Sequence, residues 1–378
     1  MKKLLLKISE YKLVFISVAF LVIFSGGCAK KDEKEIKIGA VLELTGPLSR
    51  LGERSKMGME LAADEINSQG GILNREIKLI IEDNKSDAKE GVSAFLKIIN
   101  SYNVPVITGL TGSSIVMACA PIANGKKVVL FSAGATSHLI TRAGDYIFRN
   151  RLSGDAEVKA MADFAINKLN IKKIAVLYVN TDYGVGNKDI FMKEYKTKGG
   201  NVLFSEGFEQ GETDFRSHLT KIKWARVEAV YIIGVGENGY ILKQAKEMGL
   251  KVQFLSTVGI EGPDVWKIAG ESANGVIYTV QNFDPESSQK AANFQKNYFA
   301  KYNQDPDLFS ALGYDAIYII SKVISENGYN AEAIKSGMYN LKNFQGVVGN
   351  ISFDSNGDIQ SGVMMKITKD GQFLLYNP

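Results

Sequence analysis

The residues of this 378-residue chain best placed to do chemistry sit in hydroxyl- and glycine-rich turns. Thr111-Gly112-Ser113-Ser114 ends the apolar run at 104–110, and Gly134-Ala135-Thr136-Ser137 follows the run at 128–133. Where such a turn opens a helix, the first backbone N–H groups lack intrahelical partners. With hydroxyls beside them, they bind a carboxylate without charged side chains. Ser113 and Thr136 equally suit plain helix capping. Two such turns after strands of one sheet would face a single crevice, so both readings stay open.

Covalent and metal chemistry find little support. The only histidines are His138 and His218, and neither has a cysteine or second histidine at ligand spacing. No zinc site and no catalytic residue is expected. His218, in the polar helical stretch 214–224, reads as a surface residue. Neither a G-x-S-x-G elbow nor a P-loop occurs. Gly234-Val235-Gly236-Glu237-Asn238-Gly239 does match G-x-G-x-x-G, so a nucleotide-cofactor enzyme acting through Gly234, Gly236 and Gly239 is an alternative. The acid that should close the next strand, placed at 252–257, is missing there, with Glu261 lying further on. A tight strand-to-helix turn is therefore favoured, and no cofactor is expected.

Such turns need alternating strands and helices to hold them. Residues 36–71 set the pattern: an apolar run at 36–42, a turn-rich loop, and a helix with Gly58, Leu61, Ala62 and Ile66 on one face. Gly70-Gly71 stops that helix. The loop 45–52 is expected to form one wall of a ligand cleft. Strands are predicted at 77–81, 104–110, 128–133 and 146–150, then in a second series at 173–179, 202–208, 229–234, 252–257 and 276–280. Two successive βα series imply an α/β fold of two Rossmann-like lobes with parallel-rich sheets. The last hundred residues hold helices near 288–302, 308–327 and 331–341 and short strands at 348–353, 363–368 and 373–376. They are too strand-poor for a third domain, so they return over the first two and make a multi-strand hinge. Lobe 1 is expected at 36–152 plus 282–347, and lobe 2 at 153–281 plus 348–378.

Residues 1–27 carry four lysines, one glutamate and the uncharged run 13–24, then Ser25-Gly26-Gly27-Cys28. This reads as an export signal whose cleavage leaves Cys28 acylated, a lipid tether to the membrane through a linker at 28–35. The apolar run is shorter than the roughly 20 residues of a membrane-spanning anchor. The signal holds most of the formal +4 charge, so the basic balance does not imply nucleic acid. Cys119 is then the only other cysteine, expected to be a small buried hydrophobe, and a disulfide framework is excluded.

With these segments placed, further motifs acquire meaning: Gly46-Pro47 with Gly52, Ala63-Asp64-Glu65-Ile66-Asn67 with Gly70-Gly71-Ile72, and Phe131 to Thr136. Asp182-Tyr183-Gly184, Asp214-Phe215, Gln244-Ala245 with Gly249-Leu250, Gly313-Tyr314-Asp315-Ala316, and Phe353-Asp354 with Gly357-Asp358 follow in order. From about residue 36 onward the chain resembles the leucine/isoleucine/valine-binding proteins of bacterial ABC importers, which have the type I periplasmic binding fold. The resemblance implies an extracytoplasmic, monomeric two-lobed receptor that closes on its ligand and partners an ABC permease. The ligand carboxylate is then held by Leu110, Gly112, Ser113 and Ser114 and by Gly134, Ala135 and Thr136. Tyr183 closes from the second lobe, and Phe309 packs on the ligand side chain. A sensory receptor feeding a separate signalling partner is the alternative.

The sequence departs from that family at informative places. Val258 stands where the family has its ammonium-binding glutamate, Gly112 where a serine contacts the carboxylate, and Leu51 where the opening loop has a tyrosine. The aspartate after the first lobe's last strand corresponds to Asp155, one residue out of register. A buried ammonium without a carboxylate partner is costly. The expected ligands therefore extend from a branched-chain amino acid to an aromatic or aliphatic carboxylate or an amide.

Overall fold

A computed structural model describes residues 35–376; the expected signal peptide, Cys28 and the linker through residue 34 lie outside the described residues. The first lobe opens with β1 (Glu35–Leu42), α1 (Ser49–Ser68), β2 (Glu76–Asp83), α2 (Ala88–Tyr102), β3 (Val106–Gly109), α3 (Ser113–Lys126), β4 (Val129–Ser132) and β5 (Ile147–Arg149). Its five strands are all parallel, in the order β2-β1-β3-β4-β5. The second lobe holds α4 (Gly154–Asn167), β6 (Lys173–Val179), α5 (Asp182–Thr197), β7 (Asn201–Phe208), α6 (Arg216–Ala225) and β8 (Ala229–Ile233). It continues through α7 (Asn238–Glu247), β9 (Gln253–Thr257), α8 (Pro263–Ala269) and β10 (Ile277–Gln281). α9 (Gln289–Tyr302), α10 (Leu308–Asn327), α11 (Ala331–Asn340) and the antiparallel hairpin β11 (Phe344–Gly346) and β12 (Gly349–Ile351) return to the first lobe. β13 (Val363–Lys369) and β14 (Gln372–Leu375) close an antiparallel edge beside β10, giving the order β14-β13-β10-β9-β8-β6-β7. The fold class is the one predicted. Strands β3, β4 and β8 are buried along their whole length because helices cover both sheet faces.

The chain passes between the sheets three times, after β5, after β10 and after β12. Gln281 ties the first two passages together: its Oε1 accepts from the Leu152 amide (2.7 Å) and from Arg151 Nη1 (3.1 Å). The third passage falls later than predicted. The Phe353 ring stands edge-on to Phe131 and Phe148, 5.9 and 5.6 Å between centroids. Asp358 is paired with Arg149 of β5. Residues 348–359 thus pack on the first lobe, Ile359 through its bridge to Phe353, so the expected placement of 348–358 in the second lobe is corrected. The strand predicted at 348–353 is one arm of the β11–β12 hairpin, and the short α8 was not foreseen. His218 is buried rather than superficial, its ring nitrogens 2.9 Å from Glu206 and 3.1 Å from Glu212. Cys119 is fully buried in the first lobe as expected, and burial pushes its thiol up to about 12.

Helices α1 and α10 cross in close contact. A Cβ on Gly58 would overlap the Ser310 carbonyl, and one on Gly313 would overlap the Ser55 carbonyl. Further along α10, the fully buried Asp315 accepts from the Val347 and Val348 amides at 2.9 and 3.1 Å. Burial nevertheless pushes its carboxyl up to about 6, against the lowering pull of those amides and of Lys290. A carboxyl that keeps its proton longer when folded makes the folded state the better proton binder between pH 4 and 6. Stability should therefore fall as pH rises through that window, by on the order of 2–3 kcal/mol. Urea midpoints across this range should lose that component of slope in Asp315→Asn; an unchanged slope would contradict the assignment.

Candidate functional site

Adjacent parallel strands deliver their C-terminal turns to the same edge, and β3 and β4 do so here. Gly109 (φ +97°) permits the sharp exit from β3, since a Cβ there would overlap the Val41 carbonyl. The α3 amides of Ser113 and Ser114 then start a helix with no acceptor within it. Opposite stand the ends of β6, β8 and β9. Between them lies a cavity of about 210 Å³, lined by Gly112, Ser113, Ser114, Gly134, Thr136, Tyr183 and Phe309. All seven were singled out from the sequence. The volume lies below the roughly 300–1,000 Å³ of drug-sized sites and suits a small metabolite.

The polar groups are held from several directions. Ser113 Oγ accepts from the Ser137 amide (3.1 Å), joining the two hydroxyl turns. Ser114 Oγ accepts from the Asp182 amide (3.2 Å), joining the two lobes. Thr136 Oγ1 is buried and has no hydrogen-bond partner among the described residues. Tyr183 opens α5 with its hydroxyl 2.7 Å from Thr257 Oγ1, and burial raises its phenol well above the usual value. Leu48, Leu51, Ile115, Val235 and Val258 supply apolar wall. Leu51 thus faces the cavity from the first turn of α1, whereas Thr45 turns away to hydrogen-bond Asp83.

Three predicted residues do not line this cavity. Leu110 has its side chain fully buried in the first lobe's core and anchors the turn through its backbone: its amide donates to the Val41 carbonyl (2.8 Å). Ala135 is buried in the same core, its amide donating to Ser132 Oγ (3.2 Å). Asp155 points outward from the first turn of α4, accepting from Ser153 Oγ (3.3 Å) with Lys159 3.9 Å away.

Sequence reasoning missed Arg151, Glu157 and Glu237, all of which line the cavity. Arg151 Nη2 lies 2.6 Å from Glu157 Oε1, and both side chains are almost wholly buried. Burial raises the Glu157 carboxyl above the ordinary range, and the Arg151 charge pulls it back. Glu237 accepts from the Gly211 and Val235 amides (2.8 and 3.0 Å), so the glycine motif is a turn built around that side chain. Glu157 was legible in one respect: it shares the buried face of α4 with Met161 and Ala165 at helical spacing. Val258 does line the cavity, and Glu261 is engaged elsewhere, by the Tyr278 hydroxyl (2.6 Å) and Lys366 (3.0 Å). The cleft therefore carries carboxylates, though not on the strand end where the family resemblance placed one. Among the described residues no group of three His, Cys, Asp or Glu side chains could hold a metal.

A family model described as periplasmic binding protein matches residues 35–372. The leucine-, isoleucine-, valine-, threonine-, and alanine-binding protein of Pseudomonas aeruginosa is 29% identical over 330 residues, covering 86% of this chain and 87% of its own length. The structure is similar to the branched-chain amino acid transporter substrate-binding protein LivJ of Streptococcus pneumoniae, solved with isoleucine. The TM-score is 0.85 at 30% identity, covering 91% of this chain and 100% of that one. The leucine-binding protein LivK of Thermotoga maritima gives a TM-score of 0.86 at 29% identity, covering 90% and 98%.

Proposed function

Because the chain belongs to the periplasmic binding protein family, whose members bind solutes rather than transform them, we propose that it is an extracytoplasmic receptor delivering a small amino acid to an ABC permease. The observation that carries this reading is the pairing, in one cleft, of the free α3 amides and the unpartnered Thr136 hydroxyl with Tyr183 from the other lobe. The ligand carboxylate sits on Ser113, Ser114 and Thr136, and its ammonium faces Glu157 and Glu237. A branched aliphatic side chain fills the space beside Leu48, Leu51, Val258 and Phe309. Glu157 and Glu237 line the cleft as the carboxylates that Val258 does not supply, which supports an α-amino acid. Residues 1–27 and Cys28 support export and a lipid tether.

Calorimetry with branched-chain amino acids, benzoate and short amides tests the reading. L-isoleucine or L-leucine at about 100 times its Kd should stabilise the fold by about 2.7 kcal/mol. The absence of stabilisation by any of these ligands would sink the receptor role. Thr136→Ala should weaken binding about tenfold, one hydrogen bond's worth. Melting of the free protein should barely change, because the hydroxyl has no partner there to lose. Equal loss of free-protein stability would make Thr136 a structural cap instead.

A further inference from the structure

The ends of α3's first turn are not equivalent. Ser113 and Ser114 line the cleft, but the two amides before them donate to Glu43. This residue follows β1 directly and is fully buried. Its Oε1 accepts from the Thr111 amide (3.0 Å), the Gly112 amide (3.0 Å) and Asn84 Nδ2 (3.2 Å), and its Oε2 also accepts from Thr111 (3.3 Å). Helix α1 seals it from water: Gly52 lies so close that a Cβ would overlap the Glu43 carbonyl.

No lysine or arginine pairs with this carboxylate among the described residues, which is unusual for a buried acid. The titratable group that feels it from α3 is the Cys119 thiol, which stays neutral. Asp83, at the end of β2, faces Thr45 and the Lys85 amide instead. Burial raises the Glu43 carboxyl above the ordinary range, and the Gly112 amide and Asn84 pull it down. An incoming carboxylate would dock on the other side of the same turn, drawn to the same positive helix end. Two carboxylates sharing one site cannot both ionise cheaply, so the buried one takes a proton.

We propose that Glu43 is the positioning residue of the anion turn, holding the Thr111 and Gly112 amides so that those of Ser113 and Ser114 face the cleft, and that it takes up a proton when a carboxylate ligand binds. The inference rests on the receptor reading above. Because the complex holds the extra proton, affinity is greatest at low pH and is lost as pH rises through the Glu43 value in the complex.

Titration calorimetry with L-isoleucine, in buffers of differing ionisation enthalpy between about pH 5 and 8, reads the proton directly. The wild type should take up as much as one proton per ligand, with affinity falling by up to about tenfold per pH unit. Glu43→Gln should abolish that uptake, leaving only the contribution of the cleft carboxylates Glu157 and Glu237, which wild type and variant share. Glu43→Ala should weaken binding about tenfold or more at every pH, because two amides lose their acceptor. Deuterium exchange of the empty protein supplies a readout that needs no ligand. The segment around Thr111 and Gly112 should exchange faster in Glu43→Ala and return toward the wild-type rate in Glu43→Gln. Equal proton uptake in wild type and Glu43→Gln, or unchanged exchange in Glu43→Ala, would overturn the proposal. Failure of the wild type to bind L-isoleucine would count against the receptor reading instead, leaving the exchange comparison to decide on Glu43.

Discussion

Asp358→Ala is expected to destabilise the protein by about 3–5 kcal/mol, the cost of stranding a buried charge. Arg149 is fully buried; its Nε and Nη2 reach Asp358 Oδ1 and Oδ2 at 2.6 and 2.9 Å in a two-pronged pair. The same guanidinium donates to the Ser137 carbonyl (2.8 Å) and to Thr141 Oγ1 (3.0 Å), so it also supports the turn that carries Thr136. Removing Asp358 leaves the cation without its counter-charge and frees the 354–358 turn from the edge of the first sheet. Replacing both partners, as in Arg149→Met with Asp358→Leu, should cost much less, since no charge is then stranded. Urea denaturation measures both. A loss below about 1 kcal/mol in Asp358→Ala, the range of exposed ion pairs, would contradict the assignment.

The second large effect belongs to the α1–α10 crossing. Gly58→Ala and Gly313→Ala each place a methyl group against a backbone carbonyl of the other helix, which cannot swing aside as a flexible side chain would. Each should cost about 1–3 kcal/mol or more, as overpacking does. The displacement has a second consequence. Phe309 enters the cleft from the first turn of α10, so pushing that helix outward moves one wall of the ligand site. Both variants should therefore lose ligand affinity as well as stability. Retention of wild-type affinity in a destabilised Gly58→Ala would show that Phe309 is positioned independently of the crossing.

Much of this was readable from the sequence, where local patterns are strong. Apolar runs of strand length separated by amphipathic helices gave both sheets, and the hydroxyl turns at Ser113 and Thr136 lie where strand order puts them. What escaped was decided by contacts between distant segments. Residues 342–358 hold one short strand pattern that does not say which sheet it joins, and their attachment to the first lobe depends on Phe353 meeting Phe131 and on Asp358 finding Arg149. His218 looked exposed on a polar helix because Glu206 and Glu212, which enclose it, come from outside that helix. Asp155 and Glu157 are two residues apart at a helix start, so the turn of α4 alone sends one to solvent and the other into the cleft. α8 is only seven residues long, too short for a clear period.

The three passages between sheets also impose an order of assembly. Strands β6 to β10 occupy one unbroken stretch of chain, so the parallel core of the second lobe is complete once residue 281 is available. The first lobe must wait longer: α1 needs α10, and Arg149 stays an unpaired buried cation until Asp358 arrives. In a polypeptide delivered from its N-terminus, the part begun first therefore completes its core after the second lobe has its parallel core, and the β13–β14 edge is added last. Until its core is complete, the first lobe's half-covered sheet, and the anion turn upon it, present apolar surface to whatever escorts the nascent chain.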